Sequence, residues 1–214
     1  MHSQPSTGTR YNSSRMRSAS NLPIHAFPTA SAWEKWLSRQ PRSSPGVWLK
    51  LAKKNSKIPS VSKPEAIDAA LCHGWIDGQL QPYDEHFWLI RFTPRSPRGK
   101  WSKINRTKAQ QLIAQGRMHP TGHAEIERAK ADGRWQAAYA PQSQATVPDD
   151  LQIALNKNPQ AARFFATLTS ANRYAILYRV HNSNKPETRA AKIEKFIGML
   201  ARGETVHPQN AKIK

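Results

Sequence analysis

Five of the seven tryptophans in this 214-residue chain, Trp33, Trp36, Trp48, Trp75 and Trp88, fall in one short stretch. A buried indole removes on the order of 150 to 250 Å² from water and must be surrounded on several sides. The stretch therefore marks a dense core, which Trp101 and Trp135 extend to near Tyr139. Trp33, Trp36 and Leu37 recur at helical spacing, whereas Val47, Leu49 and Leu51 alternate with Trp48 and Lys50 as in a strand. Ser62 and Glu65 form a capping-box pattern ahead of a helix carrying Ile67, Ala70 and Leu71, and Gly74 closes it as a left-handed residue. Two runs rich in aromatic and branched residues, Trp75 to Leu80 and Phe87 to Thr93, flank Pro82, Tyr83, Asp84 and Glu85, which predicts a hairpin and an antiparallel sheet.

Beyond Thr93 the apolar period becomes helical. Asn105 is predicted to cap a helix ended by Gly116, and Thr121 one ended by Gly133. Residues Ala140 to Val147 have a linker composition. Helix starts then follow at Asn158-Pro159, Ser170 and Lys185-Pro186, and Ala190, Ile193, Ile197 and Leu200 make an apolar stripe ending before Gly203. The expected fold class is α+β, a small antiparallel sheet packed with helices and followed by an all-helical C-terminal segment. Its expected boundaries are a disordered basic tail over 1–26, a core domain over 27–140, a helical domain over 148–204 and a tail over 205–214. The first segment holds Arg10, Arg15 and Arg17 with no acid before Glu34, a composition shared by transit peptides; Met16 is an alternative start.

Thirty-three Lys and Arg against fourteen Asp and Glu give a net charge of +19, so the surface concentrates anions. No run approaches the ~20 apolar residues of a membrane helix, which excludes a helical transmembrane protein. The lone Cys72 cannot form an internal disulfide, which favours a reducing, cytoplasmic setting.

From His86 to Ala124 there is no acid, yet Arg91, Arg95, Arg98, Lys100, Lys103, Arg106, Lys108 and Arg117 all fall there. Several crowd the predicted helix start at Asn105, where the backbone dipole is already positive and where an anion would be stabilised. Arg91, Arg95, Arg98, Lys100, Trp101, Lys103, Asn105 and Arg106 are the candidate ligand-binding residues, with solvated side chains and a core tryptophan as the bland alternative. Asp77 is the candidate general acid or base, or else a structural acid paired with Arg91 or Arg95, beside a bulge at Gly78. Cys72 and His73 cannot serve each other as nucleophile and base, because neighbours on a helix point about 100° apart. His119 and His123 lack further ligands at zinc spacing, and no phosphate loop or nucleophile elbow occurs, so neither metal nor cofactor is expected.

The string His73-Gly74-Trp75-Ile76-Asp77-Gly78-Gln79, then Phe92-Thr93-Pro94-Arg95 and Lys100-Trp101-Ser102-Lys103, continued by Gly133-Arg134-Trp135, Ala138-Tyr139 and Pro186-Glu187-Thr188-Arg189, resembles the YdeI/OmpD-associated, or bacteriocin-protection, family. The resemblance runs from about Phe27 to Glu204. It implies an α+β body with a helical tail and protection against antimicrobial peptides or porin association, with no settled reaction or cofactor. Family members often carry Ala-Lys shortly before the Glu-Thr-Arg run; here Ser183-Asn184-Lys185 stands in that place.

Three functions are open on these grounds. One is a binding protein for an anionic ligand, either nucleic acid or an acidic small molecule or envelope component. The second is an enzyme on a small anionic substrate, with Asp77 as acid or base and Arg95 or Arg98 as clamp. The third is a partner protein acting through its C-terminal helices.

Overall fold

The structure is a computed structural model and describes residues 21–183 and 185–208. The expectations for residues 1–20, including the Met16 start, and for 209–214 lie outside the described residues. By contact density the chain forms two units. The first runs to Gly99 and adds Thr107–Gly133; the second comprises Lys100–Arg106 and Arg134 onward.

In the first unit β1 (Ile24–Ala26), α1 (Ala30–Leu37), β2 (Val47–Ala52), α2 (Lys63–Cys72), β3 (Trp75–Pro82) and β4 (Phe87–Pro94) follow in order, and the strands lie β1-β2-β4-β3. β2, β4 and β3 pair antiparallel, as the hairpin predicts, with Val47 opposite Phe92 and Trp75 opposite Pro94. The sheet is nonetheless mixed, because β1 pairs parallel to β2. A three-residue strand at the edge of the span read as tail offers too few residues for any period to show, and α1 supplies the crossover that a parallel pair requires.

The apolar face of α1 and the capped α2 cover one side of this sheet. Trp33 is fully buried, stacks on Trp36 at 5.2 Å and donates its indole N–H to the Ala66 carbonyl at 3.1 Å. Leu49, Leu51, Ile90, Phe92 and Trp75 complete the core. The Ser62–Glu65 capping box forms as read, satisfying two of the otherwise orphaned N–H groups of α2. At its other end His73 is the cap and Gly74 turns left-handed at φ 75°, which a side chain would resist. The unit closes with part of α3 (Lys103–Ala114) and α4 (Pro120–Ala131).

Trp101 and Trp135 do not join this core. They pack edge to face at 4.8 Å in the second unit, so the tryptophans do not all serve one core. The second unit contains α5 (Asp149–Asn156), α6 (Pro159–Thr167), α7 (Ser170–His181) and α8 (Pro186–Ala201), packed through Leu151, Phe165, Ile176, Val180, Phe196 and Leu200. Asn158 and Lys185 stand at the N-caps as predicted, each followed by proline. Three caps differ. Ser102, not Asn105, caps α3 by accepting the Asn105 N–H at 3.1 Å, Thr169 rather than Ser170 caps α7, and His119 with Pro120 opens α4 ahead of Thr121.

The approach of α4 to the end of α2 is close because Gly122 has no side chain: a Cβ there would lie 2.3 Å from the Cys72 carbonyl oxygen. Gly122→Ala is expected to lower stability by about 1–3 kcal/mol, read as a shift in the urea midpoint at unchanged slope; an unaltered midpoint would show that α4 is not held there.

Candidate functional site

The candidate ligand-binding residues divide between the units: Arg91, Arg95 and Arg98 in the first; Lys100, Trp101, Lys103, Asn105 and Arg106 in the second. Arg91 is half-buried on β4, facing Trp48 in register. Arg95 is buried, its backbone N–H donated to the Gly74 carbonyl, and Arg98 is exposed. Two cations of the acid-free stretch find acids from elsewhere in the first unit, Lys108 on Asp68 and Arg117 on Glu34.

In the second unit Lys100 and Arg106 of that stretch turn to oxygens that are not carboxylates. Trp101 is buried against Trp135, whose carbonyl accepts from Arg106 at 3.1 Å. Lys100 reaches Asn182 Oδ1 at 2.6 Å and lies 5.9 Å from the centre of the Tyr178 ring. Asn182 is the C-cap of α7. Three more groups serve that end: Asn182 Nδ2 donates to the Tyr178 carbonyl, Ser183 Oγ to that of Arg179, and Arg189 to that of Val180. Lys192 in turn donates to Ser183 Oγ at 2.8 Å. The cation expected to strain a helix start thus sits at a helix end, where the dipole favours positive charge. Burial, and then Lys192, hold Lys100 below the ordinary lysine value.

Beside these residues the second unit has a cavity of about 390 Å³. An isolated bridge between Ser102 and Tyr139, with the Lys103 N–H donated to the Tyr139 carbonyl at 2.8 Å, sets Lys103 and Tyr139 in one wall. α7 supplies Tyr174, Tyr178 and His181. The Tyr139 and Tyr178 rings meet at 5.0 Å and 89°, and the Tyr174 hydroxyl donates to the Ala140 carbonyl at 3.0 Å. Burial, then the neighbouring Tyr139 and Tyr178, raise the Tyr174 phenol above its ordinary value and keep it protonated. Among the described residues lining the cavity there is no carboxylate.

Residues 144–203, within this unit, match a family model described as "Bacteriocin-protection, YdeI or OmpD-Associated". The helical segment is of the YdeI/OmpD-associated type. Residues 25–125 match another model, a domain of unknown function designated DUF8412, so the family match covers only the C-terminal part of the stretch over which the motifs resemble it. No curated protein and no solved structure matches the chain.

Within the YdeI/OmpD-associated segment, Glu187 and Thr188 are exposed on the first turn of α8, and Arg189 forks onto Asp150 at 2.5 and 2.9 Å. That pairing, by hydrogen bonding, holds the Asp150 carboxyl below its usual range. Arg189 therefore ties α8 to α5 and to the end of α7, a tertiary role. The motif residues from His73 to Gln79 lie in the first unit. Asp77 is half-buried on β3, in register with Phe92, and forms no ion pair with Arg91 or Arg95 among the described residues. Gly78 and Gln79 are exposed, within the bulge between Asp77 and Leu80 that the sequence led us to expect at Gly78.

His73, Gly74 and Trp75 border a smaller cavity of about 50 Å³, with Arg42, Thr121 and Glu125. The buried Glu125 pairs with Arg42 and, at 2.9 Å, with Arg128. His73 stacks on His119 at 3.9 Å, and its Nε2 is buried without a hydrogen-bond partner. Burial, and then the His119 charge, push its pKa down to about 4, against a smaller opposite pull from Glu34. The adjacent Cys72 thiol is pushed up to about 11, chiefly by burial, and stays protonated; a nucleophilic role there has no support.

Because His73 binds a proton less readily in the folded chain than at its ordinary 6.5, its neutral form contributes full stability above that pH. The contribution is lost as pH falls from 6.5 towards 4, up to about 3 kcal/mol. Chemical denaturation across this window should show that loss in the wild type and a flatter profile in His73→Phe; parallel profiles would show that His73 titrates normally.

Proposed function

We propose that this is a non-catalytic binding protein that holds a small anionic ligand in the tyrosine-lined cavity of its second unit, and that its bacteriocin-protection-like role draws on that binding. One observation carries the reading: in a chain rich in cations, the cavity wall contains Lys103 and His181 and, among the described residues, no carboxylate to repel an anion. Lys103 and His181 lie on the exposed part of that wall, so their attraction for an anion acts through water and is screened by salt. Asp77 lines neither this cavity nor the smaller one beside His73, and this favours binding over catalysis by that residue.

Phenyl phosphate tests the reading in calorimetric or fluorescence titration of the full chain. Binding is expected to weaken with added salt, and Lys103→Ala, an exposed position where folding is not at stake, is expected to weaken it by about 3- to 10-fold, or 0.7–1.4 kcal/mol. Absence of binding, or an affinity indifferent to both salt and Lys103→Ala, would overturn the proposal.

A further inference from the structure

The same cavity carries more chemical detail than a preference for anions. Its volume of about 390 Å³ lies near the lower end of the ~300–1,000 Å³ typical of small-molecule sites, which suits one planar ring system with an acidic tail. The rings of Tyr139 and Tyr178 stand perpendicular, 5.0 Å apart, and so offer a corner in which a flat ligand can stack on one face while meeting the edge of the other. Tyr174, pinned by its hydrogen bond to Ala140, keeps the wall rigid.

Two amide side chains distinguish a heterocycle from a plain aromatic acid. Gln136 and Gln144 both line the cavity and make no side-chain hydrogen bond among the described residues. Each amide presents a donor and an acceptor side by side, the pattern that pairs with the ring nitrogens and exocyclic groups of a base edge. A benzoate or phenyl ring has nothing to offer them. Asn182, by contrast, is already committed, its Oδ1 to Lys100 and its Nδ2 to the Tyr178 carbonyl.

The charged end of the ligand has its own place. Lys103 opens α3 and His181 closes α7, and both line the cavity. The carbonyls at the end of α7, whose negative dipole would oppose an anion, are occupied by Asn182, Ser183 and Arg189. A dianionic phosphate gains more from this surrounding than a single carboxylate does, because it brings more charge and three acceptor oxygens to the lysine and the histidine.

We infer that the ligand is a nitrogen heterocycle bearing a phosphate, of the size of a nucleoside monophosphate: Tyr139 and Tyr178 hold the ring, Gln136 and Gln144 its edge, and Lys103 and His181 the phosphate. This rests on the proposed anion-binding role of the cavity and adds the class of ligand.

The test titrates the full chain with the nucleoside monophosphates of the common bases, with phenyl phosphate and with the unphosphorylated nucleosides. At least one monophosphate is expected to bind about tenfold or more tighter than phenyl phosphate, a difference of about 1.4 kcal/mol, and tighter than its nucleoside. The double substitution Gln136→Ala with Gln144→Ala is expected to erase the advantage over phenyl phosphate while leaving phenyl phosphate binding intact. Phenyl phosphate bound as tightly as every monophosphate would overturn the heterocycle inference and leave the anion-binding reading standing. An advantage that survives the double substitution would place the heterocycle elsewhere and overturn the inference too. No binding of any phosphate would remove both.

Discussion

A shortage of carboxylates governs how this chain uses its cations. With 33 basic side chains and 14 acids, most cations cannot have an acid of their own, and a desolvated cation without a partner is costly. Backbone carbonyls and aromatic faces take up part of the deficit. Arg106 uses the Trp135 carbonyl, Arg179 that of Ala175 and Lys53 that of Asp84. Lys63 lies 5.7 Å from the centre of the Trp88 ring, a type of contact worth about 0.5–2 kcal/mol. The few acids that are well placed join elements: Asp150 with Arg189 in the helical unit, and Glu125 with Arg42 and Arg128 beside His73.

Carbonyl oxygens satisfy a guanidinium or ammonium without cancelling its charge. The field of the protein therefore stays positive, and the binding we propose seats an anion where cations bound a cavity without an acid in its lining. The tyrosine-lined cavity meets that condition. The smaller cavity does not, because Glu125 lies in its wall; what marks it instead is a neutral, buried imidazole stacked on another, an arrangement that resists a second proton. The proposed binding thus concerns the second unit, whereas the first carries a fold that weakens as the pH falls towards 4.

Local patterns were legible in proportion to how local their causes are. The capping box of α2, the β3–β4 hairpin, the left-handed Gly74 and the proline-started helices α6 and α8 depend on residues within four positions of one another, and they form where the sequence places them. β1 was not legible, since a three-residue parallel edge strand exists only through its partner β2. Nor could the sequence choose between Ser102 and Asn105 as the α3 cap, because both side chains suit the position and the choice follows from the bridge of Ser102 to Tyr139. The partners of the cationic stretch were not legible for a similar reason: Lys100 finds Asn182 82 residues away, and Lys108 finds Asp68 40 residues away. Of the candidate set, Lys103 alone lines the tyrosine-lined cavity. Tyr174, Tyr178 and His181 gave no signal beyond an ordinary amphipathic helix.

Chemical-shift mapping of the full chain during titration with phenyl phosphate tests most directly whether anion preference is concentrated in that cavity. The account predicts changes centred on Lys103, Tyr139, Tyr178 and His181, with Arg91 and Arg98 unaffected. Changes centred on Arg91 and Arg98, or spread evenly over the basic surface, would contradict it.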